Sequence, residues 1–196
     1  MPPWSAAVLA GGRGRRLDGR TKPLVELQGQ TILARQARAL ATLGVVPRLI
    51  APDVSLYAGL PYEVVPDLVD AGALGALFTA VACAPTPHVL VIAGDLPFVT
   101  GPFLAALVAW RDQAEAIVPQ PGGRWQPLCA VYHRDVAPRL KARIDRGRWR
   151  VSEALDDLVV RAVTDADLEP FDADGHLLLN VNTPEDLRRA TDHATL

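Results

Sequence analysis

Short apolar runs alternate along the chain with stretches whose apolar residues recur at helical spacing, a pattern that predicts strands alternating with helices. The run over 4–10 reads as a first strand and ends in a glycine-rich turn, and Thr31 is placed to cap a helix over 32–43 that Gly44 stops. Strands over 45–51 and 62–65 follow, then a helix over 73–83 that opens on small residues and is closed by Pro85. The clearest strand is His-Val-Leu-Val-Ile-Ala at 88–93, an almost unbroken apolar run of the kind buried on both faces of a parallel sheet. Pro102 fits the start of a helix to 112; a strand over 116–118, a turn at Gly122-Gly123, a strand over 124–132 and a helix over 134–145 come next. A short helix over 151–158, an edge strand over 159–163 and a late apolar strand over 177–181 complete the pattern, with Thr183 and Pro184 opening a last helix. The class is α/β with a mostly parallel sheet. No repeat, low-complexity segment or linker interrupts the chain, so residues 1–196 are read as one domain.

In such sheets ligands bind beyond the carboxyl ends of the strands. The first strand delivers Leu9-Ala-Gly-Gly-Arg-Gly-Arg-Arg-Leu17 and then Lys22 there. Gly11, Gly12 and Gly14 let the backbone approach an anion closely, and Arg13, Arg15, Arg16, Arg20 and Lys22 supply positive charge. The spacing is neither that of a P-loop nor that of the dinucleotide G-x-G-x-x-G. The 88–93 strand ends in Gly94-Asp95-Leu96-Pro97, the second strand in Pro52-Asp53, and the late apolar run in Asn180 and Asn182. A phosphate cradle, a strand-end carboxylate and amides at one sheet edge suit a nucleoside triphosphate with Mg²⁺, held by Asp95 and one amide oxygen of Asn182 or Asn180. Nucleotidyl transfer asks for alignment and charge neutralisation rather than a protein nucleophile, and Lys22 with the arginines, Arg16 among them, would offset charge on departing pyrophosphate.

Composition narrows the reading. A formal net charge of −2 argues against nucleic-acid binding. No apolar run approaches the ~18 residues that span a bilayer, and no basic segment precedes the first apolar stretch, so the expected location is the cytoplasm. Cys83 and Cys129 fit reduced core thiols, and His88, His133, His176 and His193 lack metal-ligand spacing, which leaves them as surface or strand-end residues. The basic stretch Arg139, Lys141, Arg143, Arg146, Arg148 and Arg150 is either a solvated face or a second anion-binding rim. Trp125 and Gln126 are expected to pack beside a pocket.

Leu9-Ala-Gly-Gly, Arg15-Arg16-Leu17, Lys22, Gly72-Ala-Leu-Gly-Ala, Gly94-Asp-Leu-Pro97 and Asn180-Val-Asn-Thr-Pro-Glu-Asp-Leu187 together resemble the motif series of the MobA-like nucleotidyltransferases. The resemblance implies a Rossmann-like three-layer nucleotidyltransferase fold. It also implies transfer of GMP from GTP to molybdopterin with release of pyrophosphate, with molybdoenzymes or other cofactor-maturation proteins as transient partners. By position, Leu9, Ala10, Gly11 and Gly12 would contact the guanine nucleotide, Lys22 the phosphates, Asp67 the nucleotide region and Asp95 the Mg²⁺, with Asn180 and Asn182 near the metal or the pterin. The chain departs from the family pattern at Thr21-Lys22-Pro23, where Asp-Lys-Gly is usual, and at Pro52-Asp53, where an asparagine is expected. Ala73 replaces a proline, and Gly94 replaces a cysteine. The Lys-Pro pair is similar to sugar-nucleotide pyrophosphorylases, which leaves CTP with the same acceptor, or a sugar phosphate or other small phosphorylated acceptor, as alternatives. A catalytically silent nucleotide-binding module would have less need of Lys22 and Asp95 together.

Overall fold

Strands apolar on both faces can be buried only as the middle layer of three, with helices above and below. The computed structural model describes residues 2–11 and 21–193 and has this arrangement. The strands are β1 (Trp4–Leu9), the short pair β2 (Glu26–Leu27) and β3 (Gln30–Thr31), β4 (Arg48–Ala51), β5 (Val64–Pro66), β6 (His88–Ala93), β7 (Ala116–Pro119), β8 (Cys129–His133) and β9 (Val160–Val163). The helices are α1 (Ile32–Ala41), α2 (Gly72–Ala82), α3 (Gly101–Ala109), α4 (Ala137–Asp145), the single turns α5 (Val151–Ala154) and α6 (Asp165–Leu168), and α7 (Pro184–His193). The main sheet has the order β5-β4-β1-β6-β8-β7-β9, and only β8 runs against its neighbours.

Alternation along the central strands assigns each residue to a layer. Ala6 and Val8 of β1 and Leu90 and Ile92 of β6 face α1 and α3, where Leu33, Leu40, Phe103 and Leu107 meet them. Ala7, Leu9, Val89 and Val91 face α2 and α4, against Leu74, Leu77, Val81 and Leu140. A third, small core joins Val25, Leu27, Ile32, Val181 and Ala190. Thr31 caps α1 as its sequence position predicts, its Oγ1 accepting from Ala34 N at 3.1 Å, and Gly44 takes φ 70° after the helix.

The structure departs from these expectations in several places. The second strand begins only at Arg48, because Pro47 has no N–H for the ladder and Val46 is 71% exposed. The strand expected over 124–132 is regular only from Cys129; before it the chain turns, with Gln126 N donating to Pro119 O at 2.8 Å and Cys129 N to Gln126 O at 3.1 Å. The late run over 177–181 is not a strand. Its residues are apolar because Leu177 and Leu178 enter the first core and Val181 the third, while Leu177 N is drawn to Asp172 Oδ1 at 2.9 Å. The basic stretch is partly internal. Arg143, 7% exposed, donates to Asp157 at 2.7 Å and Glu153 at 3.2 Å, and Arg139 donates to Glu115 at 2.9 Å, so these cations tie α4 to its surroundings.

Cys129 is fully buried on β8, where burial pushes its thiol up to about 12, and Cys83 follows α2 half-buried; both are free thiols. His88 and His133 are paired strand-end residues with ring centroids 4.9 Å apart.

Two outcomes follow from these anchors. Gln36 of α1 is buried and donates to Ala93 O at 2.8 Å and Leu96 O at 3.0 Å, so Gln36→Leu leaves two carbonyls without this donor and lowers unfolding free energy in urea by about 1–3 kcal/mol. Glu115 is held at about 2 by its hydrogen bonds from Arg139 and from Val159 N, below its ordinary 4.5. Its stabilising contribution is therefore present above pH 4.5 and is lost as pH falls toward 2. Glu115→Gln flattens that part of the acid limb when urea midpoints are measured against pH.

Candidate active site

Leu9 of β1 and Ala93 of β6 are register partners, and the ladder runs one residue further, Gly94 N donating to Leu9 O at 3.0 Å. Gly11 and the Asp95 turn thus leave the sheet side by side. Between them and the start of α2 opens a cleft of about 440 Å³, a size that suits a small-molecule ligand. Leu9, Gly11, Lys22, Asp67, Asp70, Gly94 and Asp95 all line it, with Pro52, Gly72 and Ala73. The first turn of α2 reaches this wall with no side-chain cap and no acidic residue, so its uncapped N–H groups make that end electropositive.

Lys22 is brought here by packing rather than by sequence proximity. It opens a short 3₁₀ turn, Lys22–Leu24, closed by Val25 N to Lys22 O at 3.0 Å; Val25 and Leu27 then enter the third core beside Val181 and Ala190. A tight reversal at Gln28-Gly29, both at positive φ, turns β2 into β3 and feeds α1. The same core holds the 180–182 segment against this hairpin. Lys22 Nζ donates to Asp95 Oδ2 at 3.0 Å and also to Asn182 Oδ1. Side-chain exposures of 21% and 16% for Lys22 and Asp95 make this a largely desolvated pair.

Both partners of Lys22 are themselves fixed. Asp95 O accepts from Val181 N at 2.8 Å. Asp186 Oδ2 accepts from Asn182 N at 3.0 Å and Thr183 N at 2.9 Å, while Asp186 N donates to Thr183 Oγ1 at 3.1 Å, a reciprocal cap on α7. Burial opposes ionisation of Asp186, yet these hydrogen bonds hold its carboxyl below the usual range. Asp95 Oδ1 is buried with no hydrogen-bond partner among the described residues. It is a hard oxygen donor of the kind a divalent cation takes. Among the described residues no group of three or more His, Cys, Asp or Glu could hold a metal.

The remaining sequence candidates divide by position. Asp67 stands across the cleft beside Asp70; burial first and Asp70 second raise its carboxyl above the ordinary range, and its buried Oδ1 also has no partner among the described residues. Ala10 lies behind the wall, its N donating to Ile50 O at 2.7 Å and its carbonyl accepting from Tyr57 OH at 2.6 Å, so its polar backbone groups are engaged. Asn180 lines a smaller adjoining hollow of about 170 Å³ with Asp95, Gln126 and Val151, while Trp125 packs on the second core. Gly12 and Arg16, with Arg13, Gly14, Arg15 and Arg20, lie outside the described residues. At the second strand's end it is Pro52 that lines the cleft. Asp53 instead turns its Oδ1 to Ser55 N at 3.0 Å and caps the following turn.

Two contributors escaped sequence reasoning. Gln36 was legible only as a polar residue on the buried face of α1, and Asp186 as the residue three after Thr183 in a capping pattern.

Among known proteins, the chain is 32% identical over 190 residues to a Chloroflexus aggregans protein named "Probable molybdenum cofactor guanylyltransferase", covering 94% of this chain and 91% of that one. It is 26% identical over 185 residues to "Molybdenum cofactor guanylyltransferase" of Desulfosudis oleivorans, covering 93% and 92%. Its fold is similar to the crystal structure of molybdopterin-guanine dinucleotide biosynthesis protein A from Archaeoglobus fulgidus, with TM-score 0.84, 26% identity, and 97% and 98% of the two chains covered. Residues 6–159 match the model of the MobA-like NTP transferase domain, and the chain belongs to that family.

Proposed function

We propose that the chain transfers GMP from GTP to molybdopterin in a Mg²⁺-dependent reaction, releasing pyrophosphate and forming the guanine dinucleotide cofactor. The observation that carries this reading is the Lys22 ammonium seated on the Asp95 carboxylate at the mouth of a nucleotide-sized cleft, in a chain whose relatives bear guanylyltransferase names. An oxygen of the acceptor's phosphate attacks the α-phosphorus of GTP. The bond from that phosphorus to its bridging oxygen breaks, and the electron pair leaves with pyrophosphate. The acceptor phosphate is ionised at neutral pH, so no side chain need act as nucleophile or base.

What the protein supplies is position and charge. Leu9 and Gly11 form the wall for the guanine nucleotide with Ala10 behind them, Gly12 is assigned to the same nucleotide from its sequence position, and Asp67 meets the nucleoside from across the cleft. Lys22, with Arg16, offsets charge as pyrophosphate departs, and Asn180 and Asn182 border the acceptor. Such transferases generally require a divalent metal. We assign Mg²⁺ to Asp95, whose Oδ1 has no partner among the described residues, with Asn182 as second donor through the lone pair of its Oδ1 that the bond from Lys22 leaves over. When bound, the ion supplies Lewis-acid polarisation and charge neutralisation at the phosphates. We take residues 1–196 as one catalytic unit, since Asn182 lies beyond the matched 6–159 and yet meets Lys22 within it. We place its work in the cytoplasm, in transient contact with molybdoenzymes or other maturation proteins; no described helix is long and apolar enough to cross a membrane.

The test is pyrophosphate release by the purified protein with GTP, Mg²⁺ and molybdopterin. Lys22→Ala and Asp95→Asn should each lower kcat/KM by about 100-fold or more, with cooperative thermal unfolding retained, and chelation of divalent metal should abolish turnover. Turnover with CTP or a sugar phosphate, but none with GTP and molybdopterin, would overturn the assignment.

A further inference from the structure

We propose that Pro23 and Gly94 interlock to set the separation of their chain neighbours Lys22 and Asp95, making both positioning residues for the transfer proposed above, on which this role rests. Gly94 is not among the residues at positive φ, so its backbone alone does not demand glycine. Space does. A Cβ at position 94 would lie 2.4 Å from Pro23 Cγ, 3.4 Å from Pro23 Cβ and 2.8 Å from Leu9 O. The pyrrolidine ring of Pro23, itself buried, occupies the volume that any side chain at 94 would need.

Neither half of the interlock can simply move aside. Gly94 N is tied to Leu9 O at 3.0 Å, and the following Asp95 O to Val181 N at 2.8 Å, which fixes the Asp95 turn to the sheet and to the 180–182 segment. Pro23 sits in a turn closed by Leu24 N to Thr21 O at 2.9 Å and Val25 N to Lys22 O at 3.0 Å, with Val25 buried in the third core. The ring has a fixed φ and few internal freedoms, so it acts as a rigid spacer between two anchored turns. Flexible side chains then need bridge only a preset gap, and Lys22 Nζ meets Asp95 Oδ2 at 3.0 Å. A methyl at 94 drives the two turns apart, and a misplacement of about 1 Å at a reacting centre can cost about 100-fold in rate.

The experiment compares wild type, Gly94→Ala, Pro23→Gly and the double variant. In a crystal structure of Gly94→Ala, Lys22 Nζ and Asp95 Oδ2 should separate beyond hydrogen-bond reach. In pyrophosphate release with GTP and molybdopterin, Gly94→Ala should lose about 10- to 100-fold in kcat with KM for GTP within about twofold, and Pro23→Gly should show a smaller loss of the same kind. With the ring removed, Gly94→Ala should cost several-fold less than it does in wild type; relief is partial because Leu9 O remains close. If Gly94→Ala alone does not fold, it should fold in the Pro23→Gly background, and failure there overturns the interlock. So does a Gly94→Ala protein that keeps the pair at hydrogen-bond distance, keeps wild-type kcat, or loses the same factor in both backgrounds. Absence of GMP transfer by wild type would instead overturn the functional reading, and the crystal structure would still decide whether the interlock exists.

Discussion

Leu9 and Ala93 sit opposite each other in the β1–β6 ladder, and the bond from Gly94 N to Leu9 O carries that pairing past the end of both strands. Everything at the candidate site depends on this extension. It fixes the level at which Gly11 and the Asp95 turn leave the sheet, side by side at the wall of the cleft. Gln36 reinforces it from α1 by donating to the carbonyls of Ala93 and Leu96 on either side of the turn. A long polar side chain buried in an apolar helix face is costly unless its donors are used. Its placement here converts that cost into a brace for the Asp95 turn.

The second organising element is the third core. It is small, but Val25, Ile32, Val181 and Ala190 come from parts of the chain far apart in sequence, and their contact makes the Lys22 turn and the 180–182 segment neighbours. Once they meet, one ammonium can bridge a carboxylate from the sheet edge and an amide from the C-terminal region. Asp186 then holds the backbone at Asn182 and Thr183 so that the amide points at a defined place. The attraction within the pair is stronger in this largely buried setting than on the surface, because water competes less for the charges at lower effective dielectric, while desolvation of both groups offsets part of that gain.

Pro23 and Gly94 look unrelated along the chain. In the fold they touch: the ring of one takes the space that a side chain on the other would claim. Other residues changed their meaning in the same way. Arg139 and Arg143 read from sequence as a solvated or anion-binding face, and the structure spends them on Glu115, Asp157 and Glu153. The run over 177–181 reads as a strand because apolarity is all that sequence displays, whereas its burial comes from closing over two cores without joining the ladder.

The sequence by itself determined the alternation of strands and helices, the central strands β1 and β6, and the caps at Thr31 and Thr183. It also determined that Asp67 and Asp95 lie just beyond strands, though not that the run before Asn182 stays out of the sheet. Those are local properties, set by period, by Gly and Pro backbone preferences and by side-chain capping, and they are written in neighbouring residues. Only the tertiary structure decided that Asn182 joins Lys22 rather than standing alone, that Ala10 turns its polar groups inward to Ile50 and Tyr57, and that Pro23 must face a glycine. These depend on which distant segments share a core and how closely their backbones approach, and steric exclusion between residues remote in sequence leaves no mark on either one until the chain has packed.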